Sequence, residues 1–200
     1  GYAGLAGAYA LMPQYAPVGP GEAVPKAKAP AAKALEMDES LAEAHASLAW
    51  IVFTYDWDWP TAEREYQRAL ALSPNYATGH YWYAILHLYT GRHDEAIKEV
   101  TKAQELDPLS LIIGTIFGRV LYFAGNLEEA EACLRKTLEL GPDFARTHQE
   151  LAKTLLLQGR LAEATTQARE AVRHSTDDSR NVATLGYVYA KAGQPEEAPR

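Results

Sequence analysis

Residues 55–60 read YDWDWP, and two kinds of chemistry fit them. Asp56 and Asp58 could form a carboxylate pair for general acid–base work. Trp57 and Trp59 could form a platform on which a sugar ring stacks. A third reading is a turn between two helices, with Pro60 opening the second. A carboxylate pair needs a nucleophile or a base partner, and the neighbouring residues supply neither.

The other chemistry-bearing residues are scattered. His80 and His87 lie seven apart, about two helical turns, too far to chelate one metal without further ligands. They read as two partly buried histidines. His45, His93, His148 and His174 are expected to fall in separate structural units. Cys133 has no histidine at helical spacing and reads as a small packing residue. There is no G-x-x-x-x-G-K-[ST], no H-E-x-x-H and no C-x-x-C. Gly1, Gly4 and Gly7 follow no strand, so they are not a dinucleotide fingerprint. No cofactor, metal or catalytic residue is expected.

Composition narrows the classes further. An apolar content of 48% supports a substantial core, and 22% charged residues argue against global disorder. A net charge of −7 speaks against nucleic-acid binding by this segment. No apolar run reaches the roughly 18–20 residues of a membrane span. With one cysteine no intrachain disulfide can form, which fits a reducing compartment and favours the cytoplasm. Gly1 to Met12 lacks the basic region of a signal peptide. A start at Gly and an end at Pro199-Arg200 read as a piece of a longer protein.

What must position these residues is a repeat. Ala62, Ala96, Ala130, Ala164 and Ala198 are spaced 34 apart. Gly91, Gly125, Gly159 and Gly193 keep that interval, and so do Pro74, Pro108 and Pro142, with Thr176 in the next slot. Ala69, Ala103 and Ala171 share a slot that Thr137 fills in the remaining unit. Each unit reads as two helices. The first carries a large–small pair: Leu48-Ala49, Tyr83-Ala84, Phe117-Gly118, Leu151-Ala152, Leu185-Gly186. Glycine ends it, because glycine tolerates the left-handed conformation after a helix. The second starts on acids such as Asp94-Glu95, which suit the positive helix end, and stops near proline.

This pattern resembles the tetratricopeptide repeat. Repeats are expected at 42–76, 77–110, 111–144 and 145–178, with a truncated one at 179–200. Residues 1–41 read as a divergent helix pair with a long loop around MPQYAPVGPG, 12–21. The resemblance implies an all-α fold of about eleven helices, a right-handed superhelix (an α-solenoid) of antiparallel helix pairs. Unit 42–76 is one residue longer than the others, so YDWDWP is expected to be an expanded turn. Trp57 stands where other units have glycine, Asp58 is a plausible N-cap, and Trp59 is expected to be buried between the helices. Truncating a buried tryptophan would cost about 3–5 kcal/mol.

By the same resemblance, first helices line a concave groove that binds peptides or partner-protein segments. The groove positions project onto Trp50, Phe53, Tyr81, Trp82 and Tyr89, then Arg119, Tyr122 and Phe123, then Arg146, Gln149, Lys153, Arg180, Tyr187 and Lys191. One end is therefore aromatic. The other carries five cations against the single acid Glu150, which favours an acidic partner. The plain alternative is that the aromatics stiffen the core and the cations solubilise the surface. The carboxylate clamp of chaperone-binding repeats is not matched: Ala46, Trp50, Trp82, Ile112 and Ile116 stand at its register.

A narrower resemblance joins EAHASLAW, YDWDWPTAEREYQRALALSPNYATGHYWYA and ELDPLSLII to repeat arrays of bacterial signalling proteins: winged-helix regulators, serine/threonine kinases and nucleotide cyclases. It implies a non-enzymatic protein-binding scaffold within a larger regulatory protein. The alternatives are a groove for a small molecule or glycan in an enzyme's accessory module, and a homo-oligomerisation module.

Overall fold

A computed structural model describes residues 1–14, 18–175 and 178–197. Thr176 and Ala198, two of the repeat positions above, lie outside the described residues, as do 15–17 within MPQYAPVGPG. The described residues form eleven α-helices and no strand. They fall into two compact units, Gly1–Gly91 and Arg92–Arg200.

The N-terminal unit holds α1 (Tyr2–Leu11), α2 (Pro20–Met37), α3 (Ala42–Ile51), α4 (Trp59–Leu72) and α5 (Ala77–Tyr89). Here α1 packs on α2 and α3, and α4 packs on α3 and α5. Helix α2 starts at Pro20 and accommodates Pro25 and Pro30 in its interior, so the helix takes in the end of the stretch read as a loop. The C-terminal unit holds α6 (His93–Leu106), α7 (Leu111–Phe123), α8 (Leu127–Leu140), α9 (Ala145–Leu157), α10 (Leu161–His174) and α11 (Ser179–Lys191). Each packs on the next, and α9 also packs on α7 and α11.

The two helix types bury different amounts of surface. Second helices bury one narrow stripe: Ala62, Tyr66 and Ala69 in α4, Ala130, Leu134 and Thr137 in α8, Ala164, Ala168 and Ala171 in α10. That spacing of three to four residues is one helical face. First helices are covered on several sides; α9 buries Thr147 through Ala152 without a break. The 34-residue columns of small residues let paired helices approach. At Gly118 an added Cβ would lie 2.4 Å from the Leu134 side chain, so glycine here makes room for leucine.

Three helix pairs, α3–α4, α7–α8 and α9–α10, reverse direction through one left-handed residue. Gly91, Gly125, Gly159 and Gly193 have φ between 74° and 84°. Trp57 occupies the same slot with φ 60°, the one non-glycine residue of positive φ among those described. The turn is not expanded as expected. The extra residue of unit 42–76 is absorbed upstream, in a π-helical stretch at Val52–Asp56, the way helices take up single insertions. Asp58 caps α4, accepting from the Thr61 backbone N–H at 3.2 Å. Trp59 is not buried as expected: it is 38% exposed, its ring 6.4 Å from that of Trp57, itself 73% exposed. As the first residue of α4, Trp59 sits beside the turn rather than under the helix.

Histidines close the inter-pair turns. Nε2 of His80 donates to the Pro74 carbonyl at 2.9 Å and Nε2 of His148 to the Pro142 carbonyl at 2.8 Å. His45 reaches the Glu39 carbonyl at 3.0 Å in the same way. On the far side, Nδ1 meets Glu65 in His45 and Gln167 in His148, both at 2.7 Å. Where the periodicity predicts a fourth such histidine, the chain has Gly114. A Cβ there would lie 2.4 Å from the Thr137 hydroxyl oxygen, so threonine in the alanine column of α8 excludes a side chain opposite. The orphaned Pro108 carbonyl is taken instead by the Gln104 amide at 3.0 Å.

Two consequences are measurable by chemical denaturation. Trp57→Gly should stabilise the protein by about 1 kcal/mol, because a left-handed conformation costs a non-glycine residue about 1–2 kcal/mol and the exposed ring offers little burial in return. Asp58→Ala should destabilise it by about 1 kcal/mol through the lost cap.

Candidate functional site

The expected ligand surface divides between the units. In the N-terminal unit, α3, its π-helical extension and α5 bring five aromatics into one row. The rings of Trp50 and Trp82 lie 5.3 Å apart. Phe53 meets Trp50 edge-on at 6.1 Å and Tyr81 meets Trp82 edge-on at 6.0 Å. Tyr89 follows at 6.1 Å from Phe53. Trp50 and Trp82 are buried, at 6% and 4% exposure, so they build the core under the surface. What the row offers to a ligand is half-buried Phe53 and Tyr81 and exposed Tyr89. Gly7 of α1 closes one side, its Cβ position 3.3 Å from Ser47 Oγ and 3.9 Å from the Trp82 ring.

In the C-terminal unit the first helices α7, α9 and α11 are laced by polar side chains. Thr115 and Thr147 share a hydrogen bond at 2.6 Å, and the Gln149 amide donates to Thr184 at 3.1 Å. Gln149 is thus buried and committed to the scaffold rather than offered to a ligand. Glu150 is only 2% exposed. Arg119 donates to its Oε1 through both Nε, at 3.1 Å, and a terminal guanidinium nitrogen. Lys153, one turn along, donates to the same oxygen at 3.3 Å. Burial pushes the Glu150 carboxyl upward, but the charges of Arg119 and Lys153 outweigh it and hold the group below its ordinary value.

The positive excess read from the sequence is therefore partly spent internally. Two of the five cations share Glu150, and Arg180 pairs with its own helix cap, Asp178, at 2.7 Å. Hydrogen bonding from Arg180, with a further contribution from the charge of Arg146, holds the Asp178 carboxyl low. Lys191 lies over the Tyr187 ring at 5.6 Å, and Tyr187 is 56% exposed. Phe123 stands edge-on to Tyr122 at 5.1 Å and faces solvent. Burial raises the Tyr122 phenol, helped by the charges of Glu150 and Tyr187. The result is a carboxylate bridging two cations, on helices that also carry the exposed rings of Phe123 and Tyr187.

Little else offers chemistry. Among the described residues no group of three His, Cys, Asp or Glu is arranged to hold a metal. The expected separation of the histidines fails for one pair: His148 and His174 lie in the same helix pair, their rings 5.7 Å apart and nearly parallel. Burial pushes the Cys133 thiol up to about 11, which suits a packing residue rather than a nucleophile. An open cleft of about 370 Å³ beside α2 to α4 is lined by Glu36, Glu39, Glu65, Arg68 and His45, but both ring nitrogens of His45 are already bonded. No described helix is long and apolar enough to cross a membrane.

Glu150 gives this surface a pH signature. Its carboxyl is more acidic folded than unfolded, where the ordinary value is 4.5. Its ion pairs thus contribute fully above that value and are lost as pH falls through the folded one. Glu150→Gln should cost about 3 kcal/mol at pH 7, the scale of breaking a buried pair. The difference from the parent should shrink steadily below pH 4.5 in denaturation series.

Comparison with known proteins places the chain. A family model for the tetratricopeptide repeat matches residues 58–110 and 117–179, more than half of the sequence. A curated relative, the TPR repeat-containing thioredoxin TTL4 of Arabidopsis thaliana, is 34% identical over 83 residues. That match covers 42% of this chain and only 12% of the relative. Among solved structures, PilW, a type IV pilus biogenesis factor, superposes with a TM-score of 0.79 at 22% identity, covering 98% of this chain and 88% of its own. YrrB, described as a TPR protein with an unusual peptide-binding site, superposes at 0.59 with 21% identity, covering 84% and 86%. Identities this low carry the fold and nothing finer, but the family match carries the assignment: the chain belongs to the tetratricopeptide repeat family.

Proposed function

We propose that this chain is a non-enzymatic scaffold that binds a protein or peptide segment on its first helices, as part of a larger bacterial regulatory protein. In this reading the repeats run 42–76, 77–110, 111–144 and 145–178, preceded by a divergent pair at 1–41 and followed by a partial one at 179–200. The observation that carries it is the surface of α7, α9 and α11. There a buried Glu150 fixes Arg119 and Lys153, with Arg146, Arg180 and Lys191, and with Tyr122, Phe123 and Tyr187, elsewhere on the same helices.

At that point a single buried carboxylate, Glu150, holds the two cations Arg119 and Lys153 in place. These side chains are pre-positioned, so a ligand does not have to order them on binding. The matching ligand is a peptide with an acidic side chain or a terminal carboxylate, whose apolar groups rest on the exposed rings. Charge sets encounter and orientation, while the aromatic contacts hold the complex. The family assignment supports this reading, as does the peptide-binding site reported for YrrB. The chain's net charge of −7 leaves nucleic acid disfavoured as a partner of this segment.

A partner captured from the native host on the purified chain would be mapped to a peptide and titrated. Lys153→Glu and Arg146→Glu should weaken it about tenfold each, and Tyr187→Ala, an exposed residue, should do so without loss of folding. Affinity should fall as salt rises. Charge reversal that leaves binding unchanged, or strengthens it, would rule this surface out.

A further inference from the structure

Trp57 and Trp59 carry two costs that the fold does not need. Trp57 adopts a left-handed conformation, φ 60°, in a slot where the four other turns use glycine. A bulky residue there is a genuine outlier, and such outliers cluster where a side chain is needed for function. Its indole is also 73% exposed. The ring touches Trp59, 38% exposed, at a centroid distance of 6.4 Å and an interplanar angle of 32°. Two indoles therefore stand side by side at the surface, tilted by 32° to one another.

The turn that holds them is anchored. The Tyr55 hydroxyl donates to the Ala10 carbonyl of α1 at 3.1 Å. Lys28 of α2 pairs with the Asp56 carboxylate at 2.6 Å. Asp58 is fixed as the cap of α4. The π-helical stretch Val52–Asp56 delivers the chain to this point one residue late, a device often found at functional sites. Rigid support for an exposed aromatic pair lowers the cost of binding.

The surroundings select the ligand. Asp56 and Asp58 are matched by Lys28 and by Arg64, which donates to Thr61 at 2.8 Å and whose charge acts on Asp58. The rim is thus polar but balanced in sign, which suits neither a strong cation nor a phosphate. A neutral ligand with a flat apolar face and a hydroxylated edge fits it. Pyranose rings have that form: C–H groups on one face for the indoles, hydroxyls at the edge for Asp58, Lys28 and Arg64. The ring spacing is of the order of that between neighbouring sugars in an oligosaccharide. We propose that Trp57 and Trp59 form a stacking platform for a neutral glycan, a site separate from the peptide surface of the C-terminal unit.

The four tryptophans make the test direct, because Trp50 and Trp82 are buried and only Trp57 and Trp59 are open to a quencher. Acrylamide quenching of the full chain would be measured with cellohexaose, chitohexaose and maltohexaose, alongside an array of neutral glycans. At least one neutral glycan should protect the exposed indoles saturably. Trp57→Gly, which relieves the backbone and keeps the fold, should weaken that binding at least tenfold, and Trp59→Ala should do the same. Absence of binding to every neutral glycan overturns the proposal, as does binding that survives Trp57→Gly. Saturable protection by a basic peptide, by phosphatidylcholine vesicles or by self-association, with none by glycans, also overturns it and names the other occupant.

Discussion

The constraint on which this fold turns is the reversal of the chain within each helix pair. Two helices joined by a couple of residues can lie side by side only if one connecting residue takes the left-handed conformation. In α7–α8 and α9–α10 the chain meets that demand with glycine, Gly125 and Gly159, which has no Cβ to clash. In α3–α4 it uses Trp57. The geometry is the same, so the helices pair as they do elsewhere, but the backbone stores strain and the side chain is thrown into solvent. The single departure from the repeat's chemistry is thus also the place where the structure exposes an aromatic pair.

Once the turn is set, the columns of small residues decide how closely the helices lie. Departures within those columns are compensated locally. Thr137 in place of alanine empties the position opposite, where Gly114 replaces the histidine that would close the turn. The freed Pro108 carbonyl then finds Gln104. His45, His80 and His148 are spent on backbone carbonyls. Each such bond ties the start of a first helix to the turn before it, a contribution of about 0.5–1.5 kcal/mol.

Electrostatics follows the same economy. The cations of α7, α9 and α11 are not a loose positive field. Glu150 and Asp178 tie down three of them. A buried carboxylate is costly to desolvate and tolerable only because two donors share it. The arrangement holds Arg119 and Lys153 in defined positions, which a free surface arginine or lysine would not keep.

The amino-acid sequence by itself determined the period, the helix pairs, the turn glycines and the Asp58 cap, because each rests on interactions between residues close in the chain. The same local logic placed Trp57 in a glycine slot. It did not decide which aromatics are covered. Trp50 and Trp82 carry the register of a ligand surface yet are buried, and Trp59 carries the register of a packed helix yet is half in solvent. Burial is set by what a neighbouring helix brings, as Gly7 of α1 does for Trp82, and no local pattern encodes that neighbour. The single inserted residue could likewise have lengthened the turn or widened the helix. Only tertiary packing chose the π-helical stretch, because Tyr55 and Asp56 had to reach Ala10 and Lys28 while the reversal at Trp57 kept its geometry. The sharing of Glu150 was hidden for the same reason. Arg119 and Glu150 are 31 residues apart and meet only when α7 and α9 pack side by side.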